Sequence, residues 1–150
     1  MSDLYEADLV EWSEQQADLL RRRADGRLSS EQGLDWANLA EEIEDLGKSQ
    51  RIALSSQVRR ILERLLKLDA SPATEPRRGW LDTVRSARSE IEVLFEASPS
   101  LRRTLADVIA RQLPPARVAV AEVMAEYGEA PRVPLDALHY DAAAVLGRGA

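Results

Sequence analysis

The stretch that most limits what this chain can fold into runs from Leu34 to Leu68 without a proline. Along it Trp36, Leu39, Ile43, Leu46, Gln50, Ala53, Gln57, Ile61, Leu65 and Leu68 recur three or four residues apart. That spacing predicts one long helix with an apolar stripe broken only by two glutamines. At 1.5 Å per residue the helix spans roughly 50 Å, more than one short neighbour can cover, so other helices must lie along it. Leu62 and Leu66 add a second apolar edge at its far end, which predicts cover on more than one side there.

Two residues of this stretch have local roles. Asp35 is the expected N-cap, its carboxylate accepting from the exposed amides of the first turn. Gly47 interrupts good helix formers at a cost of about 1 kcal/mol relative to alanine. Its place near the apolar stripe predicts close approach of another backbone.

The rest of the chain divides into helices at its breakers. A first helix is expected from Asp3, with Asp3 and Glu6 as a capping pair, to about Ala24, with Tyr5, Leu9, Trp12, Gln16 and Leu19 inward. Its acids lie early and Arg21, Arg22 and Arg23 late, which suits the helix dipole. Asp25-Gly26 ends it, and a surface connection with Ser29, Ser30 and Gly33 follows. Pro72 and Pro76 turn the chain after the long helix. The next helix is expected from Arg77 or Arg78 to Ala97 with Trp80, Val84, Ala87, Ile91 and Leu94 inward. Ser98-Pro99 reads as a start signal for the last helix, with serine as cap and proline in the first turn. Pro114-Pro115 should kink or break it into two collinear halves before Gly128 stops it. Pro131 and Pro134 then make an irregular strap, residues 129–150, docking a short helix through Leu135, Leu138, Val145 and Leu146, with Gly147 to Ala150 frayed.

With alanine, leucine, glutamate and arginine abundant and β-branched runs absent, the fold class is all-α. The expected architecture is a four-helix-bundle-like single domain over residues 1–150, with a core of 4–128, one long central helix, a proline-kinked last helix and a C-terminal strap. At 150 residues the chain fits one domain. No cysteine is present, which excludes disulfides, zinc-thiolate sites and thiol chemistry. The N-terminus lacks a signal peptide's basic and apolar regions, and no run approaches the roughly 20 apolar residues of a membrane span, so a cytoplasmic, soluble protein is expected.

Several segments together resemble the bacterial family known as domain of unknown function 29. They are Tyr5 through Trp12 with residues 15–21, Leu34-Asp35 with residues 39–47, Leu65-Leu66-Lys67, Trp80 with Arg85 and Arg88, and Ser98-Pro99-Ser100-Leu101. The match is collinear over most of residues 5–128. The resemblance implies an all-helical, bundle-like domain and supplies no activity. Where the family usually has a histidine before Leu-Leu-Lys and an aromatic soon after, this chain has Arg64 and Leu68.

The candidate chemistry is sparse. Glu41-x-x-Glu44 lacks the histidine of a carboxylate-bridged di-metal site, and Glu41 projects away from Ile43. The one histidine, His139, lies in the tail beside Tyr140. No catalytic residue, metal or cofactor is therefore expected. Trp12, Trp36 and Trp80 read as core anchors, and Gln16, Gln50 and Gln57 as register-setting groups. Glu42 flanks the inner stripe on the shoulder of Asp35 and Arg64, and is expected to be half-buried and paired with Arg85 or Arg88. Asp35, Glu42, Arg64, Lys67, Arg85 and Arg88 are thus the candidate conformational or interaction cluster.

The net charge of −6 is uneven, with thirteen acids against five bases in residues 1–50 and basic residues gathered at Arg59, Arg60, Arg64, Lys67, Arg77, Arg78, Arg85 and Arg88. The plain expectation is mutual neutralisation between helices. Two function classes follow. The first is a non-enzymatic module binding a protein partner or itself as a homodimer, with Leu62 and Leu66 as the edge to be covered. The alternative is nucleic-acid or phosphate binding through the Arg59–Arg88 cluster, which overall acidity disfavours. An enzyme with a carboxylate-arginine site stands last, and no membrane partner is expected.

Overall fold

The computed structural model describes residues 3–26 and 35–148. The expectations for Leu34, for Ser29, Ser30 and Gly33, and for Gly149 and Ala150 lie outside the described residues. Described residues form α1 (Leu4–Ala7), α2 (Leu9–Asp25), α3 (Trp36–Ala70), α4 (Arg77–Ala97), α5 (Leu105–Glu126) and α6 (Ala142–Leu146). Among them there is no strand, and the fold is all-α. Contacts group the chain into two compact units, one of Met1–Ala53 with Leu94–Arg102 and one of Leu54–Val93 with Arg103–Ala150.

In the first unit, the expected first helix is two helices. Asp8 is extended, with φ −157° and ψ 103°, and it caps α2 by accepting from the Glu11 amide at 2.8 Å. Asp3 makes no side-chain cap bond. The buried Asp8 carboxylate also accepts from the Ser100 amide and, at 2.9 Å, from the Ser100 hydroxyl. A carboxylate holding three donors of two distant segments wins over continued helix.

This break re-phases α2. The buried residues are Val10, Ser13 and Ala17, one position along from the expected Leu9, Trp12, Gln16 and Leu19, and Tyr5 is exposed. Small residues fill this face because α3 comes close. A β-carbon added to Gly47 would stand 2.5 Å from Ser13 Oγ, so the glycine answers the expected close approach. On α3 the same unit buries Ala40 and Gly47, while Leu39 and Leu46 are exposed, so the expected stripe is rotated here as well. Asp35 caps α3 as expected, accepting from the Asn38 amide at 3.2 Å.

Ser98 spends its hydroxyl away from the helix it precedes, accepting from the Val10 amide at 3.1 Å. The chain after it forms a 3-10 turn, Pro99–Thr104, and α5 begins only at Leu105. The expected direct start at Pro99 is therefore delayed by a turn.

In the second unit, α3 buries Leu54, Val58, Ile61, Leu62, Leu66 and Leu68, and α4 buries Val84, Ala87 and Ile91. Leu62 and Leu66 are wholly inaccessible, so they cannot be the interaction edge that the sequence reading assigned to them. α5 runs unbroken through Pro114 and Pro115, so of the expected kink or break the break does not occur. The two carbonyls that lose amide partners belong to Ala110 and Arg111, both exposed, where water can satisfy them.

The strap is stitched down by hydrogen bonds of this unit. The Arg132 amide donates to Ala70 O at 2.7 Å and the Tyr140 hydroxyl to Asp69 at 2.6 Å. Arg88 donates to the carbonyls of Val145 and Ala144, both at 2.9 Å, closing the end of α6. Asp141 caps the other end by accepting from the Ala144 amide at 2.8 Å. Arg148 reaches Glu92 at 2.7 Å.

Candidate functional site

A cleft of about 520 Å³ opens in the second unit beside the end of α3. Lys67, in the last turn of α3, lines it with Ala73, Glu75 and Pro76 of the following turn. Trp80 enters from the first turn of α4, and Val123, Met124, Tyr127 and Glu129 come from the end of α5 and just beyond.

Local chemistry sets each wall. α3 ends at Ala70 because Pro72 and Pro76 cannot extend it, and the Ser71 hydroxyl accepts from the Ala73 amide at 3.1 Å. The same hydroxyl donates to Glu129 at 2.7 Å, which holds that carboxylate at the rim. Arg77 donates to Leu68 O at 2.8 Å, placing a cation at the carbonyl end of α3. Past α5, Gly128 takes φ +66° and the Glu129 amide returns to Met124 O at 2.8 Å. This left-handed turn leaves Tyr127 75% exposed.

Lys67 is the central group. Its ammonium lies 5.9 Å from the centre of the Trp80 ring, a cation over an aromatic face. Burial, and then the neighbouring Arg64, push its pKa below the ordinary lysine value, while Glu63 and Glu129 pull the other way. Half-buried, its ammonium carries three donors and makes no hydrogen bond or ion pair with the described residues.

The other residues of the candidate cluster have separate duties. Asp35 is a helix cap, and Glu42 is exposed, so the expected half-buried carboxylate needing an arginine is absent. Arg64 stands 3.9 Å from Glu63, Arg85 pairs with Asp82 at 2.9 Å, and Arg88 holds α6. The wider basic group is largely engaged within the protein: Arg59 pairs with Glu63 at 2.7 Å and also reaches Pro115 O, and Arg60 bonds Gln57. Of the tail pair, His139 is exposed with Nδ1 3.3 Å from Arg117, and the Tyr140 hydroxyl is committed to Asp69. Among the described residues no group of three or more histidines, cysteines or carboxylates could hold a metal, and no helix is long and apolar enough to cross a membrane.

Sequence reasoning singled out Lys67 but missed the rest of the cleft. It placed Trp80 in the core, whereas all three tryptophans are only half-buried and Phe95 is the large aromatic of the interior. The available signal was position: Trp80 and Tyr127 lie at helix ends that flank turns, where a large side chain can stay partly open.

The family model described as Domain of unknown function DUF29 matches residues 4–140. A solved structure of an α-helical protein of unknown function from Rhodospirillum rubrum is similar at 30% identity, with a TM-score of 0.73, over 97% of this chain and 90% of that one. Comparison with curated proteins gives no match.

Proposed function

Since the chain belongs to the DUF29 family, which carries no assigned activity, we propose from its own cleft that it is a non-enzymatic module binding a segment of a protein partner. The observation that carries this reading is the lining itself. Trp80, Tyr127 and Met124 stand around a half-buried lysine, with Glu75 and Glu129 beside it. Tryptophan and tyrosine are enriched at protein interfaces. A volume of about 520 Å³ accommodates a few side chains.

Nucleic-acid or phosphate binding has weaker support, because Arg59, Arg64 and Arg77 face carboxylates or carbonyls of the protein itself. A salt-sensitive association of the wild-type protein with duplex or single-stranded nucleic acid would favour that alternative.

The test is affinity capture from the native cytoplasm with the wild-type chain and with Trp80→Ala and Tyr127→Ala, each checked for an unchanged melting curve. A partner retained by the wild type and lost from both variants supports the reading. Retention by both variants to the same level overturns it. Size-exclusion chromatography with light scattering on the same proteins tells whether the partner is a second copy of the chain.

A further inference from the structure

The cleft contains one cation that no acceptor of the described residues engages, and that group specifies what the cleft reads. Lys67 has left bulk water far enough for burial to disfavour its charged form, yet no oxygen among the described residues accepts from its three donors. The carboxylates nearest in the lining are otherwise placed: Glu129 accepts from Ser71, and Glu75 is exposed at the rim. A half-buried ammonium with no acceptor among the described residues can donate charge-assisted hydrogen bonds to an incoming anion. Beside it the lining offers apolar surface from the Trp80 ring, Pro76 and Val123. A ligand that fills this arrangement needs one carboxylate and, directly beside it, an aliphatic or aromatic side chain.

Resting on the partner-binding reading above, we infer that the cleft recognises an acidic side chain flanked by apolar residues in a partner polypeptide, with Lys67 receiving the carboxylate and Trp80 and Val123 the apolar neighbour. A chain terminus fits less well. Terminal carboxylates are captured by runs of backbone amides, and the Ala73 amide at the rim is already given to Ser71, whereas Lys67 offers a single point charge.

The probe is a pair of blocked pentapeptides with either glutamate or glutamine between two leucines, titrated into the full chain while the indole resonance of Trp80 is followed by NMR. The glutamate peptide is expected to bind about tenfold more tightly than the glutamine peptide, the range set by one charge-assisted hydrogen bond. In Lys67→Met, checked for unchanged spectral dispersion, the two peptides should bind alike. A third peptide ending in leucine with a free carboxyl and no glutamate should behave as the glutamine peptide does. Equal affinity of the glutamate and glutamine peptides for the wild type overturns this inference while leaving the cleft as an apolar docking site. A Trp80 resonance that moves with none of the peptides overturns both.

Discussion

Arg88 and Gly147 meet so closely that a β-carbon on the glycine would stand 2.5 Å from the guanidinium carbon. The arginine cannot swing aside without releasing the carbonyls of Ala144 and Val145, and Gly147 itself takes φ +73°. A glycine here both ends α6 and makes room for the side chain that closes it. Gly147→Ala is therefore expected to destabilise the chain by about 1–3 kcal/mol, from left-handed strain plus loss of those bonds. Urea unfolding measures it, and the cost of Gly147→Ala should shrink when Arg88→Ala is already present, because the steric part has gone.

Asp8 ties the start of α2 to the turn before α5 through the Glu11 amide and both donors of Ser100. Asp8→Ala should cost about 2–4 kcal/mol, a helix cap plus charge-assisted bonds left with buried donors. Asp8→Asn should lose less, since its single carbonyl oxygen can still cap Glu11. A midpoint of Asp8→Ala within error of the wild type would refute the linkage.

Tyr140 sets an alkaline limit. Burial first, and then its hydrogen bond to Asp69, raise its pKa far above the ordinary 10.0. The folded protein thus keeps a proton that the unfolded chain gives up near pH 10, so this contribution to stability is intact below about pH 10 and declines as the pH rises further. Tyr140→Phe should flatten the fall of the urea midpoint between about pH 9 and 11, even though it removes the bond to Asp69.

For Lys67 the sign is reversed. Its lowered pKa means that the folded state gives up the proton before the unfolded chain does, so stability rises with pH as this group titrates, up to the ordinary value of 10.5. The sequence has two lysines, Lys48 and Lys67, so reductive methylation with carbon-13 gives a simple spectrum. The Lys67 resonance is expected to titrate below 10.5 and to move toward the ordinary value in Trp80→Ala, which opens its surroundings to water. A Lys67 midpoint at the ordinary value would remove the burial on which the cleft argument stands.

Much of the secondary structure could be read in advance. Pro72 and Pro76 bound α3 and α4, with Arg77–Ala97 falling where the periodicity put it. Asp35 caps α3, and Gly47 marks the close approach of α2. These are local matters, decided by what a backbone can do at one residue.

Faces and partners were not legible in the same way. On α2 and the first half of α3, large side chains lie beside a narrow seam of alanine, serine and glycine, and a hydrophobic pattern follows the large ones. The seam is Val10, Ser13 and Ala17 opposite Gly47, so the buried face turns by one residue from the apparent stripe. The Asp8 break escaped notice because Ser100, which helps make it, is 92 residues away.

What the amino-acid order alone determined is the helical class and the helix bounds set by local breakers and caps, such as those of α3 and α4, since propensity, capping and proline geometry act within a few residues. Only the tertiary structure decided which stripe was sheltered, that Arg88 would close α6 while Glu42 stayed in solvent, and that Lys67 would end over Trp80 with no acceptor among the described residues. Those outcomes depend on through-space distances between segments far apart in the chain, where a shift of about 100° on one helix exchanges a buried side chain for an exposed one.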